Sequence, residues 1–360
     1  MEIYKPYALQ FISLLFLFFF FLFWGLKSKR NVAGICLFLL YLLIASTFIL
    51  RDYYGNIDIP RYMKFYEENV TVTDIFSSGT AWKADYFFFL FMPLCHFFGL
   101  SAENYITFQL LLSIGLTFIA YFLVFKKSNK WIFLGLFFTL NSSSFYLIHG
   151  NVIRQGLASS LLLLSLGVRL PKTEFWLKVM GFFTHKGVIL SFLPALLKKM
   201  RPYRLIILCV ALFIGYFSMA IYFLNLFALP GFVQQKIAFY SIFQRASSNS
   251  LLKLLLLVLF NLLFLMKMGK HEVFKKTHDL FFIYSVVALL LFRFDGLFSR
   301  LVLYSDIFVP ILTIGVITGI KNGKQRLFAL LATIVLSIAY SVFTFNHESI
   351  LFNMGEYLKF

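Results

Sequence analysis

The stretch HGNVIRQGLASSLLLLSL, residues 149–166, sets a guanidinium, Arg154, at the start of a run that is otherwise apolar or small. A cation near the centre of a spanning helix costs about 2.5–3.5 kcal/mol even on the lenient insertion scale, so such a residue is read as functional, with an anionic partner. Arginine suits phosphate because its planar fork binds oxygens bidentately and stays charged at any relevant pH. Gln155 follows, and Gly156, Ala158, Ser159 and Ser160 are small enough to let a helix or ligand approach the backbone. Free N–H groups at a helix start favour a bound anion as well. A second group lies in RDYYGNIDIPRYMKFYEENV (51–70), where Arg51, Asp52, Asp58 and Arg61 alternate with the rings of Tyr53, Tyr54, Tyr62, Phe65 and Tyr66. Carboxylates, guanidinium groups and aromatic faces together are what a sugar carried on a phosphate requires. A third, FRFDGLFSRLVLYSDIF (292–308), contains Arg293, Asp295 and Arg300, and Arg300 opens an apolar run much as Arg154 does. Arginines at the mouths of two helices would form a phosphate clamp. The amphipathic stretch 231–250 adds Lys236, Tyr240 and Arg245, and reads as an interfacial helix or a lid over a groove.

A transfer reaction also needs a proton acceptor. His185, at a break in FFTHKGV, and Asp58 are the candidates; a carboxylate serves only where desolvation raises its pKa. His149, at the outer end of its helix, is open to either reading, a base or a side chain that holds a backbone carbonyl. With no Gly-rich phosphate loop, no HxxxH pair and no DxD box, the expectation is a site with no metal and no cofactor, in which cationic side chains neutralise the phosphate themselves. Cys36, Cys95 and Cys209 show neither metal nor CxxC spacing and read as small hydrophobes.

The elements that must position these groups are membrane helices. Of 360 residues 61% are hydrophobic and 13% charged, with 50 Phe, far too little polar surface for a soluble domain. Apolar runs near the roughly 20 residues needed to cross a bilayer are separated by short polar loops, and the alternating ten-residue pattern of a β-barrel is absent. The net charge of +18 is concentrated: connections 27–31, 126–130, 169–172, 198–204, 267–276 and 321–326 hold 19 of the 33 lysines and arginines and one carboxylate, Glu272. That is the positive-inside pattern, so these six are expected to be cytoplasmic, and a nucleic-acid partner is not expected.

Tracing the chain from those loops gives an all-α polytopic protein of ten spans, near 7–26, 32–50, 105–125, 131–148, 152–168, 205–223, 251–266, 278–292, 301–319 and 327–345. Segments 86–100 and 175–197 do not fit the parity and read as re-entrant or broken helices, with a count of twelve spans as the alternative. The first run, followed by KSKRN, reads as a retained span. The whole chain, 1–360, reads as a single transmembrane domain whose outer loops include 51–85 and 224–250, with Arg51, Asp58, Arg61, Arg154, Arg293 and Arg300 all on the outer side.

Taken in order, R51…G55-x-x-D58…Y62, KADYFFFLFMPLCHFFGLS, IRQGLASSLLLLSL, FFTHKGVILSFLPALL and SRLVLYSDIFVPIL resemble the EpsG-like group of bacterial exopolysaccharide and O-antigen polymerases, the Wzy type. The resemblance implies a GT-C-like polymerase or ligase architecture in the bacterial inner membrane, acting in lipopolysaccharide or exopolysaccharide biosynthesis. It further implies a glycosyltransferase that moves a growing glycan from undecaprenyl diphosphate onto a lipid-linked repeat unit at the outer face. The expected partners are that lipid-linked oligosaccharide, membrane lipid and a chain-length regulator protein. On this reading Arg51, Arg61, Arg154, Arg293 and Arg300 hold the diphosphate, Asp58 or His185 takes the proton, and Tyr62, Gln155, Lys236, Tyr240 and Arg245 line a sugar or lipid groove. A lipid-linked oligosaccharide flippase, an O-antigen ligase and an acyltransferase are the alternatives.

Overall fold

The structure, a computed structural model, describes residues 5–25, 30–49, 58–69, 71–77, 86–150, 152–194, 198–217, 248–266 and 271–346. These residues form helices and turns, with no strand among them. In chain order the helices are α1 (Lys5–Gly25), α2 (Arg30–Ile49), α3 (Asp58–Glu68), α4 (Val72–Ser77), α5 (Tyr86–Phe89), α6 (Phe91–Phe97), α7 (Ala102–Val124), α8 (Asn129–Leu140), α9 (Ser143–Gly150), α10 (Ile153–Gly167), α11 (Pro171–Thr184), α12 (Arg204–Tyr216), α13 (Ser248–Met266), α14 (Glu272–Leu290), α15 (Asp295–Asp306), α16 (Val309–Gly319) and α17 (Gly323–Asn346). Among the described residues, α2, α7 and α17 are long and apolar enough to cross a bilayer, and two bent pairs, α8 with α9 and α15 with α16, raise the number to five. Phe18 and Phe38, each 59% exposed, and Leu336, 68% exposed, leave apolar faces of α1, α2 and α17 uncovered, as lipid contact requires.

The chain divides into two compact units, Met1–Ile189 with Lys324–Phe360, and Leu190–Gly323. In the first, α7 is the central element, packed by α10, α2, α3 and α8. Its start is well specified. Gly99, at φ +64°, takes the left-handed conformation that ends α6, with Leu100 N–H on the Cys95 carbonyl and Gly99 N–H on the His96 carbonyl. Ser101 then caps α7 by accepting from the Asn104 N–H at 3.3 Å. Small residues set the spacing further on: a Cβ on Gly167 would stand 2.7 Å from Leu123 Cβ, so α10 and α7 approach closely there. Phenylalanines fill the α1–α8 seam, with Phe133 stacked on Phe19 and Phe23 at 5.6 and 4.9 Å.

The basic connections of this unit share one end. Arg30 donates to the Phe122 carbonyl at 2.6 Å and to the Lys126 carbonyl, capping the electronegative end of α7, and its guanidinium lies 3.8 Å from the Phe122 ring centroid. Lys130 sits 4.1 Å over the Trp24 ring. Desolvation, with the Arg169, Lys127 and Arg30 charges, lowers the Lys126 pKa, and burial beside Arg326 lowers that of Lys130.

Two helices expected to be continuous are bent. The 131–148 run breaks by 76° between α8 and α9, where Asn141 turns its amide onto the Phe137 carbonyl at 2.8 Å and a run of serines follows. The 301–319 run bends by 45° between α15 and α16, just before Pro310, which brings no N–H to the ladder. The 175–197 segment does break at THKG: α11 ends at Thr184, His185 is extended, and a 3₁₀ turn spans Lys186–Phe192. Segment 86–100 folds as the two short helices α5 and α6.

In the second unit α14 packs against α12, α13, α15 and α16. Gly215 on α12 lies where any Cβ would collide with the Leu289 carbonyl, so those two backbones nearly touch. Tyr284 stacks on Tyr304 at 5.1 Å between α14 and α15, and Phe281 meets Phe264 of α13 edge-on at 5.3 Å.

Candidate functional site

Segment 58–68, read from sequence as part of a loop, is the helix α3. Ile59, Tyr62, Met63 and Tyr66 are buried while Arg61, Lys64 and Glu68 are exposed, the spacing of a helix lying with one face on the protein. Its inward ring, Tyr62, is 1% exposed and packs on Phe88 at 5.5 Å. Arg154, in the first turn of α10, donates from Nε to the Tyr62 hydroxyl at 3.1 Å, and its guanidinium carbon lies 5.3 Å from the ring centroid. The hydrogen bond and the cation–π contact together fix where the half-buried fork points.

The pedestal under Tyr62 is polar and fully packed. The Phe88 carbonyl, near the α5 break, accepts from the Tyr105 hydroxyl at 2.8 Å and from Gln109 Nε2 at 3.1 Å. Tyr66 is sandwiched between His96 at 3.9 Å and Tyr105 at 4.8 Å, and donates to the Leu100 carbonyl at 2.7 Å. Burial, with a smaller contribution from Cys95, pushes the Tyr66 phenol above its ordinary pKa and keeps it a neutral donor. Tyr105 lies near the start of α7 and Phe122 near its end. The Arg154–Tyr62 pair therefore sits at the end of this unit away from Arg30 and the basic connections.

The remaining expected residues fall as follows. Asp58 opens α3, and Arg61 stands one turn later on its exposed face. Gln155 is fully buried beside Arg154. His185 is partly exposed, and its Nδ1 accepts from the Gly187 N–H at 3.2 Å. In the second unit Arg293, in the turn after α14, donates from Nε to the Tyr216 carbonyl at 3.1 Å with its guanidinium 5.4 Å from the Tyr216 ring, and Arg300 is exposed on α15. Arg51, Lys236, Tyr240 and Arg245 lie outside the described residues. Of the expected arginines, then, Arg61 and Arg154 belong to the first unit, and Arg293 and Arg300 to the second.

Two clusters escaped the sequence reading. In the first unit α7 presents Tyr105, Gln109, Ser113, Thr117 and Tyr121 at strict four-residue spacing, all buried, and His149 joins that stripe by a 2.7 Å contact between its Nδ1 and Ser113 Oγ. The period was visible as every fourth residue of an apolar span. In the second unit Arg204, 5% exposed, donates to the Asp279 carboxylate and from Nη1 to His278 Nδ1 at 2.7 Å, and Arg201 donates to Asp279 at 2.6 Å. The adjacent His278–Asp279 pair at the start of an apolar run was the available signal.

The described residues define a helical membrane protein in which a half-buried arginine is seated on a tyrosine, at the end of its unit remote from that unit's own basic connections. The sequence model of the EpsG family matches residues 35–358, nearly the whole chain, and the protein belongs to that family. No curated protein and no solved structure matches it.

Proposed function

We propose that this chain is a polysaccharide polymerase that transfers a growing glycan from undecaprenyl diphosphate onto a lipid-linked oligosaccharide repeat unit at the outer face of the bacterial inner membrane. Membership of the EpsG family supports a polymerase-like role in polysaccharide biosynthesis. The observation that carries the reading to a site is Arg154, held on Tyr62 at the end of its unit opposite the basic connections. In the reaction a sugar hydroxyl of the acceptor forms the new bond to the anomeric carbon of the donor. The bond from that carbon to the carrier phosphate breaks, its electron pair leaves on the diphosphate, and the hydroxyl proton passes to Asp58 or His185. Arg154, with Arg51, Arg61, Arg293 and Arg300, neutralises the charge growing on the leaving group, as preorganised donors do. Tyr62, Gln155, Lys236, Tyr240 and Arg245 line the sugar and lipid groove. Ten spans, a GT-C-like architecture, a single transmembrane domain with outer loops 51–85 and 224–250, independence of metal and a chain-length regulator as partner complete the proposal.

The test is purified protein in detergent with lipid-linked repeat units as sole substrate. Polymer formed without a membrane potential or a second compartment is the expected result, with mass added in whole repeat units. Carrier movement in vesicles with no new linkage, or addition of an acyl mass, would overturn it.

A further inference from the structure

His149 is the penultimate residue of α9, just before α10 begins with Ile153 and Arg154. It is 4% exposed, and its Nδ1 lies 2.7 Å from Ser113 Oγ. Ser113 Oγ is also 3.1 Å from Ser160 Oγ, and Thr117 Oγ1 is 2.8 Å from the same Ser160 oxygen. Ser160 reaches the Gly156 carbonyl at 3.0 Å and Thr117 the Ser113 carbonyl at 3.1 Å. These five contacts link α9, α7 and α10, and each needs one proton.

Each hydroxyl brings a single proton, so the two serines and the threonine supply fewer protons than there are contacts. If the imidazole accepts at Nδ1, Ser113 spends its proton on the ring, and the single Ser160 proton serves either Ser113 or the Gly156 carbonyl but not both. If Nδ1 carries the proton, an ordered chain results, from His149 Nδ1–H to Ser113, from Ser113 to Ser160 and from Ser160 to the Gly156 carbonyl, with Thr117 still free to donate. One more contact is then satisfied, which matters in a buried network where an unmade bond is costly.

A separate observation puts the same corner under tight steric control. A Cβ at position 156 would stand 2.7 Å from the Ile148 carbonyl and 3.2 Å from His149 Nδ1, so only glycine lets the end of α9 close onto the first turn of α10. That turn carries Arg154.

We infer that His149, as the neutral Nδ1–H tautomer, is a positioning residue that locks the α9–α10 corner through Ser113 and Ser160 and so sets the place from which Arg154 reaches the substrate phosphate. The inference rests on the reading of Arg154 as a phosphate ligand. It gives His149 no proton to take from the substrate.

The two amide isosteres test it. His149→Asn keeps an N–H at the δ position and is expected to retain most polymerase turnover with an unchanged pH profile. His149→Gln moves the donor one bond further out, and Ser113→Ala removes its receiver. Both should lose about ten- to a hundredfold in kcat, the scale of a small misplacement of a catalytic group, while thermal unfolding in detergent shows the proteins folded. Nitrogen-15 NMR of the imidazoles, with His149 assigned by its absence from the Asn variant, should show the proton on Nδ1. A ring protonated at Nε2, or an Asn variant as damaged as the Gln variant, overturns the inference while leaving the polymerase reading intact. A fully active Arg154→Ala protein overturns the Arg154 reading, and with it the role given to His149, whichever tautomer the ring adopts.

Discussion

Two buried or half-buried guanidinium groups, one in each unit, are held by different contacts. Arg204 is 5% exposed and donates to a carboxylate that is 3% exposed, with His278 accepting from a further nitrogen and the Phe282 ring 4.9 Å below. Its charge is matched inside the protein, and Arg201 reaches the other oxygen of the same Asp279. Arg154 directs Nε at the Tyr62 hydroxyl and lies against that ring, half-buried. A cation matched by its own carboxylate is a structural fastening between α12 and α14. Under the proposed function Arg154 has a different task, to meet the diphosphate of the donor. The two differ in depth, Arg204 being buried and Arg154 half-buried.

The largest effect is expected where that partner is removed. Asp279→Ala leaves Arg204 buried beside His278 without its carboxylate, and breaking one side of a buried pair costs about 3–5 kcal/mol. Thermal unfolding in detergent should fall accordingly, and an unaltered midpoint would show that the pair fastens nothing. Next comes Arg154→Ala. Loss of one oxyanion-type donor costs about 2.7–4 kcal/mol in the transition state, so turnover should drop roughly a hundred- to a thousandfold. Thermal unfolding in detergent should show the variant still folded, so that the loss is read as one of turnover. A normal distribution of chain lengths from this variant would remove Arg154 from the mechanism and make the two arginines equivalent.

The difference between the two arginines was only half legible in the sequence. Arg154 announced itself because it interrupts a run of small and apolar residues, and such an interruption is expensive in lipid. Arg204 did not, because it closes a basic connection, KKMRPYR, and was counted with the positive-inside residues. Its carboxylate lies 75 positions away in the chain, and a pairing of that separation leaves no periodic trace. The helical class followed from composition, and the break at His185 from a Thr-His-Lys-Gly run inside an apolar segment. The 76° bend after Leu140 and the helix at 58–68 were missed for opposite reasons. The first hides inside a run apolar enough to be read as straight. The second is too short and too charged on one face to register as a membrane element, although its apolar residues at 59, 62, 63 and 66 carry the helical period.

A smaller effect should come from the corner that aims Arg154. Gly156→Ala forces a methyl group to within 2.7 Å of the Ile148 carbonyl, and overpacking of this kind costs about 1–3 kcal/mol. The obstacle is backbone, so α9 must shift, and both unfolding midpoint and turnover should fall. Gly25, with open space around its Cβ position, gives the control: Gly25→Ala should leave both unchanged.

The finest test separates the two contacts by which Tyr62 holds Arg154. Tyr62→Phe keeps the ring and deletes the acceptor oxygen, a loss of about 0.5–1.5 kcal/mol for one hydrogen bond, or roughly a two- to tenfold fall in kcat/KM. Tyr62→Leu deletes the ring as well, which removes a further 0.5–1 kcal/mol or so of cation–π attraction and the stacking on Phe88. If the phenol aims the guanidinium, the Phe variant should lose turnover while its unfolding midpoint stays close to that of the parent, and the Leu variant should lose both. The same pair of changes at Phe282 and Asp279 around Arg204 would move stability alone. A Tyr62→Phe protein with full activity would mean that the ring by itself directs Arg154.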